Sequence, residues 1–204
     1  MMQLYYSDIL SSRKACAVAR YLQSPIEFRY LDLLKGDQQQ PAYLAVNPNG
    51  KVPTLIDGEH VVWEADAVIC YLARRAGSDL WPDDLRQIDI IRWFSWNAQH
   101  FYRHGGTLYF ENIVKRRFGI GEPDAAAVRE AQEEFRRYAA VLTDHLEDHQ
   151  WLVGDGITVA DFSVAITLPY AEQAAMPLRE FPVVQRWLDR LNGIEAWREP
   201  FPPR

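Results

Sequence analysis

The chain has 204 residues, of which 48% are hydrophobic and 25% charged, a globular composition at a length that holds one domain or two small ones. A formal net charge of −6 argues against a nucleic-acid partner, which calls for a basic field on the protein. The opening Met1-Met-Gln-Leu4 lacks a basic stretch followed by an apolar run, and no apolar stretch approaches the roughly 20 residues of a membrane span, so a cytoplasmic protein without a membrane partner is expected.

In chain order, residues 3–6 (Gln-Leu-Tyr-Tyr) and 26–31 (Ile-Glu-Phe-Arg-Tyr-Leu) are short runs rich in aromatic and branched side chains, which predicts two strands. Between them Ala15, Val18, Ala19 and Leu22 recur at helical spacing. Pro53-Thr-Leu-Ile and Glu59-His-Val-Val-Trp63 flank Asp57-Gly58, a signal for a two-residue hairpin turn and hence an antiparallel pair. Helical spacing resumes from Glu64 to Ala76, giving the order β, α, β, α, β, β, α. Cys16 and Cys70 lie far apart in helical stretches, match no disulfide framework or zinc spacing, and are expected as buried thiols.

Beyond the turn-rich Gly77-Ser-Asp-Leu-Trp-Pro-Asp-Asp84 every segment reads as helix, which predicts domains over residues 1–78 and 85–204. Val128, Ala131, Phe135, Tyr138 and Leu142 form one apolar stripe; Val183, Trp187, Leu188 and Leu191 form another behind Pro182 at a helix start. His100 and His104 stand four apart, but no third ligand accompanies them and no metal site is expected. Lys115-Arg-Arg117 reads as a solvated basic face.

Three segments carry a family resemblance. Asn47-Pro-Asn-Gly-Lys-Val-Pro53 resembles the glutathione-binding loop of the cytosolic glutathione S-transferase superfamily, in which the proline follows a cis peptide bond. Glu64-Ala-Asp-Ala-Val-Ile-Cys-Tyr-Leu72 is similar to that family's Glu-Ser-x-Ala-Ile-x-x-Tyr-Leu segment, with Ala65 in place of the usual serine. Gly154-Asp-Gly-Ile-Thr-Val-Ala-Asp-Phe162 resembles a helical-domain motif; in it Thr158 and Asp161 fit a capping box, and Ile157 and Phe162 a hydrophobic staple. The resemblance implies an α/β plus all-α architecture: an N-terminal thioredoxin-like βαβαββα domain, then an all-helical C-terminal domain carrying the hydrophobic-substrate site and much of the dimer contact.

The same resemblance implies glutathione as co-substrate, a homodimer, and conjugation of the glutathione thiolate to small hydrophobic electrophiles, a detoxification chemistry. The Val52 backbone before Pro53 would pair with the cysteinyl unit, as a strand added to a sheet edge. Glu64 would receive the γ-glutamyl ammonium, and N–H groups at the helix start its carboxylate. Ala65 withholds a hydroxyl donor worth roughly 1.5–3 kcal/mol to a charged group. Asp66 reads as a solvated first-turn acid, and Gln38 and Lys51 align with positions that hold the glycyl carboxylate.

The family's chemistry needs a donor after strand 1 that keeps the sulfur as thiolate, since a free thiol has a pKa near 8.5. Ser11 falls where bacterial relatives often carry it, one residue past the theta-type serine; Ser12 and Tyr5 are the alternatives, and both serines are also preferred helix caps. Ile9, Leu10, Trp96, His100 and Tyr102, with Phe101 and Tyr109, are candidates to contact the electrophile. Two other classes stay open: a different glutathione-dependent enzyme (isomerase, dehalogenase, peroxidase or lyase), and a non-catalytic binding or interaction protein on the same fold.

Overall fold

Met2, Leu4 and Tyr6 are buried and their neighbours half-exposed along Met2–Tyr6, the alternation that makes this segment strand β1. In the computed structural model, which describes residues 1–203, β1 lies inside a four-stranded sheet of order β2-β1-β3-β4, with β2 at Ile26–Tyr30, β3 at Thr54–Asp57 and β4 at His60–Trp63. The β1–β2 pair is parallel, with Leu4 opposite Phe28. A parallel pair needs a crossover, and helix α1 (Leu10–Tyr21) supplies it. β3 runs antiparallel to both β1 and β4.

Between β2 and β3 the chain makes a 3-10 turn at Asp37–Gln39 and a single-turn helix α2 at Pro41–Leu44. Helix α3 (Ala65–Arg75) follows β4 and packs against α1. Leu4 and Leu55 from the sheet, Ala15, Cys16 and Val18 from α1, and Val68, Ile69 and Leu72 from α3 are almost fully buried. Each large aliphatic side chain removed from water there contributes about 1.5–3 kcal/mol. Cys16 is a buried thiol, and burial holds its pKa far above the ordinary value. Cys70 is only half-buried, although burial still pushes it up to about 12.

The hairpin turn sits one residue later than the Asp57-Gly58 pair suggests. Asp57 is paired with His60 in the ladder, so Gly58 and Glu59 form the turn. Gly58 takes a φ of +60°, which glycine adopts without a Cβ penalty.

The chain forms two compact units: Met1–Asp83 together with the segment from Ile194 onward, and Asp84–Gly193. Among the described residues the second unit contains no strand. It begins with α4 (Arg86–Trp96), a π turn at Asn97–Phe101, α5 (Tyr102–Tyr109), a second π turn at Phe110–Val114 and α6 (Lys115–Phe118). α7 (Ala125–Asp148) starts on Asp124, whose carboxylate accepts from the Ala126 and Ala127 amides. Its buried stripe is Ala131, Phe135, Ala139, Leu142 and Leu146. α8 (Val159–Val164) opens with the capping box: Asp161 accepts from the Thr158 amide at 2.8 Å, and Thr158 accepts from the Ala160 amide at 3.3 Å. α9 (Pro182–Asn192) starts on its proline and buries Val184, Trp187, Leu188 and Leu191.

The last helix, α10 (Glu195–Arg198), departs from the domain limits read from the pattern. It buries Trp197 completely and packs on α1 of the first unit, rather than extending the helical domain.

Candidate functional site

The loop before β3 is held from inside by polar side chains. Asn47 is buried; its amide donates to the Lys51 carbonyl and the Thr54 hydroxyl, both at 2.9 Å, and its carbonyl accepts from the Asn49 amide at 3.0 Å. Tyr43, from α2, reaches the Lys51 carbonyl at 2.6 Å and the Thr54 hydroxyl at 2.8 Å. Burial pushes the Tyr43 hydroxyl above its ordinary pKa, so it stays a donor. With its entry fixed in this way, the chain passes through the cis Val52–Pro53 peptide bond into β3. Val52 is buried, and Lys51 is exposed.

Helix α3 starts beside that hairpin on Glu64, which is exposed and takes φ 69° and ψ 121°. A non-glycine residue in such a conformation costs on the order of 1–3 kcal/mol, and strain of this kind gathers at ligand sites. No side chain caps the helix, whose start carries the positive end of its dipole; Ala65 is buried just inside. Helix α1 is likewise uncapped by any side chain, starting after an extended Ile9.

The three donor candidates differ in what already occupies them. Ser12 is fully buried and accepts from the Ser7 amide at 3.3 Å. The ring of Tyr5 packs against Tyr43 with centroids 5.4 Å apart. Ser11, in the first turn of α1, is half-buried. Gln38 sits in the 3-10 turn with its side-chain oxygen buried and without a partner.

Of the residues proposed to contact an electrophile, Ile9 is half-buried and Leu10 buried in the first unit. In the second unit, Trp96, His100 and Tyr102 are half-buried around the first π turn, while Phe101 and Tyr109 are buried. Trp96 stacks on Phe101 at 5.7 Å, and His100 and His104 both lie parallel to the Tyr138 ring, at 4.8 and 5.7 Å. Burial also lowers the pKa of His104. These histidines are therefore members of an aromatic stack, and no group of three metal-binding side chains occurs among the described residues.

Two partnerships escape sequence patterning. Lys14 of α1 is buried and pairs with Asp66 of α3 at 2.5 Å, so Asp66 is not a plain solvated acid. The Tyr43–Thr54–Asn47 network is the other; a polar Asn before Pro-Asn-Gly signals a turn, and only the fold shows that it is buried.

Residues 2–74 match the family model of the glutathione S-transferase N-terminal domain, and residues 99–195 that of its C-terminal domain. Glutathione S-transferase 3 of Zea mays is 31% identical over 185 residues, covering 85% of this chain and 82% of that protein. The chain belongs to the glutathione S-transferase family. Glutathione S-transferase D7 of Drosophila melanogaster is 30% identical over 193 residues, covering 93% of this family member and 83% of that one. The solved glutathione transferase URE2P6 of Phanerochaete chrysosporium, in complex with oxidized glutathione, is 26% identical with a TM-score of 0.84, covering 98% and 94% of the two chains. The architecture is accordingly the glutathione transferase fold, a thioredoxin-like α/β unit and a helical unit.

Proposed function

We propose that this family member is a serine-type, theta-like transferase that conjugates glutathione to small hydrophobic electrophiles. The start of α3 carries this reading. Glu64 is exposed in a strained conformation at an uncapped helix end, a pairing of acceptor and open donors that suits the ammonium and carboxylate of one γ-glutamyl group.

Glutathione would lie along the first unit, its cysteinyl backbone beside Val52. Gln38, through its side-chain amide nitrogen, and Lys51 would face the glycyl carboxylate. Ser11 would donate a hydrogen bond from its hydroxyl to the thiolate sulfur at the positive end of α1, lowering the thiol pKa from about 8.5. The thiol proton leaves to solvent. The thiolate then forms a carbon–sulfur bond while the leaving group departs with the displaced electron pair. Proximity and thiolate formation supply the rate, with no covalent enzyme intermediate. In the second unit Trp96, His100 and Tyr102 are assigned to the electrophile; in the first, Leu10 is buried and offers packing. A homodimer working in the cytoplasm belongs to the same proposal.

Ala65 favours one second reading, a protein that uses the fold without catalysis, because a γ-glutamyl contact is absent. Retention on immobilised glutathione together with conjugation of chlorodinitrobenzene is expected; absence of both would support that second reading. Ser11→Ala should lower turnover about tenfold or more, the value of a hydrogen bond to a charged group, whereas unchanged turnover would remove Ser11 from the donor role.

A further inference from the structure

We infer that the Lys14–Asp66 ion pair is a strut that sets the register between the first turns of α1 and α3, and thereby positions Ser11 against the glutathione sulfur. The inference rests on the reading of Ser11 as sulfur donor.

Lys14 Nζ lies 2.5 Å from Asp66 Oδ1, with side-chain exposures of 9% and 32%. Lysine is almost never buried this far unless paired. The two ends of the pair lie on the same first turns as the two groups proposed to hold adjacent units of one ligand, Ser11 on α1 and the Ala65 amide on α3. Lys14 follows Ser11 by three residues, which places both on one side of α1. Asp66 adjoins Ala65, whose amide stands at the open start of α3. Glutathione bound as proposed joins these starts through its γ-glutamyl and cysteinyl units, so their spacing has to match a fixed length of peptide. Apolar packing between α1 and α3 sets the distance between the helices but is non-directional, so it specifies less sharply which residues face each other along their axes. An ion pair at contact distance with its lysine buried is held in a narrow range of geometry, and fixing register is the best-attested use of such polar pairs. A displacement of about 1 Å at a reacting atom can cost a hundredfold in rate. With no hydroxyl at Ala65 to tether the γ-glutamyl carboxylate, the backbone placement of α3 matters more. Lys14 and Asp66 are thus positioning residues.

The test is the pKa of the glutathione thiol bound to the full chain, read from thiolate ultraviolet absorption against pH, for the wild type, Asp66→Asn, Lys14→Met and Lys14→Arg. The pKa should rise by about one unit in both Asp66→Asn and Lys14→Met, with kcat/KM at neutral pH falling about tenfold, and Lys14→Arg should stay near the wild type. Shifts of opposite sign would mean that the pair acts by its charges instead of its geometry. An unchanged thiol pKa with a lowered Tm would leave it a purely structural contact. Either result overturns the inference. A wild type that shows no thiolate below the free thiol pKa would refute the Ser11 reading itself, and that outcome is visible without any variant. Should Lys14→Met fail to fold, the nearly isosteric Asp66→Asn, at the more exposed end, decides the question.

Discussion

The Tyr43 hydroxyl donates to the Lys51 carbonyl at 2.6 Å, so α2 holds the last residue before Val52 by its backbone. Asn47 donates to the same carbonyl at 2.9 Å, which makes the contact redundant for stability but not for orientation. Tyr43→Phe, which also removes the contact with the Thr54 hydroxyl, should cost about 2 kcal/mol, the net value of two hydrogen bonds. The KM for glutathione should rise several-fold while kcat holds, because the loop is proposed to bind the peptide backbone and not the departing group. Initial rates across a glutathione series would show this; a lowered Tm with an unaltered KM would reduce the network to a fold element.

Ala65 occupies the first position of a helix that no side chain caps. Ala65→Ser would place a hydroxyl at the end where the γ-glutamyl carboxylate is proposed to bind. A hydrogen bond to a charged group contributes roughly 1.5–3 kcal/mol, so calorimetry should find glutathione bound about tenfold more tightly or better. An unchanged Kd would mean that another donor already serves that carboxylate.

Local features of this chain are legible from sequence because their causes are local. The period-two strand of Met2–Tyr6, the Asn47-to-Pro53 turn residues and the Thr158–Asp161 spacing each act within a few residues. The hairpin slips by one because Asp57 is claimed elsewhere: its carboxylate accepts from Tyr71 at 3.0 Å and Arg75 at 3.2 Å, and it pairs with His60. Ser11 and Ser12 look alike in sequence, and they separate only when the fold buries Ser12 under the Ser7 amide. Lys14 with Asp66, and Tyr43 with Thr54, join residues whose spacing has no period to reveal it.

Asp161 does more than cap its helix. It is fully buried and accepts from the Thr158 and Leu152 amides and from the Trp187 indole, the last two at 3.0 Å. Burial outweighs these donors and pushes its pKa up to about 6, above the roughly 3.9 of an unfolded chain. A folded pKa raised in this way means that the folded state holds the extra proton between pH 4 and 6. The group's contribution to stability is complete below about pH 4 and is lost as pH rises through about 6. Asp161→Asn abolishes that titration. Between pH 7 and 4.5 the urea-derived stability difference should move about 2 kcal/mol in favour of the wild type. A difference independent of pH would show that Asp161 titrates normally.

Trp197 ties the end of the chain to α1. It is fully buried, its carbonyl accepts from Arg13, and the Arg13 guanidinium lies 5.3 Å from its ring centre. Further along, Arg20 donates to the Phe201 carbonyl at 3.0 Å, and Phe201 stacks on Tyr6 of β1. Arg13 and Arg20 stand two turns apart on α1, so the segment from Ile194 clamps the helix along most of its length. Trp197→Ala should cost about 3–5 kcal/mol, as for other buried tryptophans. The loss should appear where the contacts are: hydrogen exchange should accelerate in α1 and β1 while α7 and α9 keep their protection. Had the segment belonged to the helical unit, the opposite pattern would result, with α9 deprotected and α1 unchanged. Because α1 carries Ser11, the clamp also predicts that the variant loses turnover before it loses secondary structure on warming, which parallel assays of activity and circular dichroism would separate.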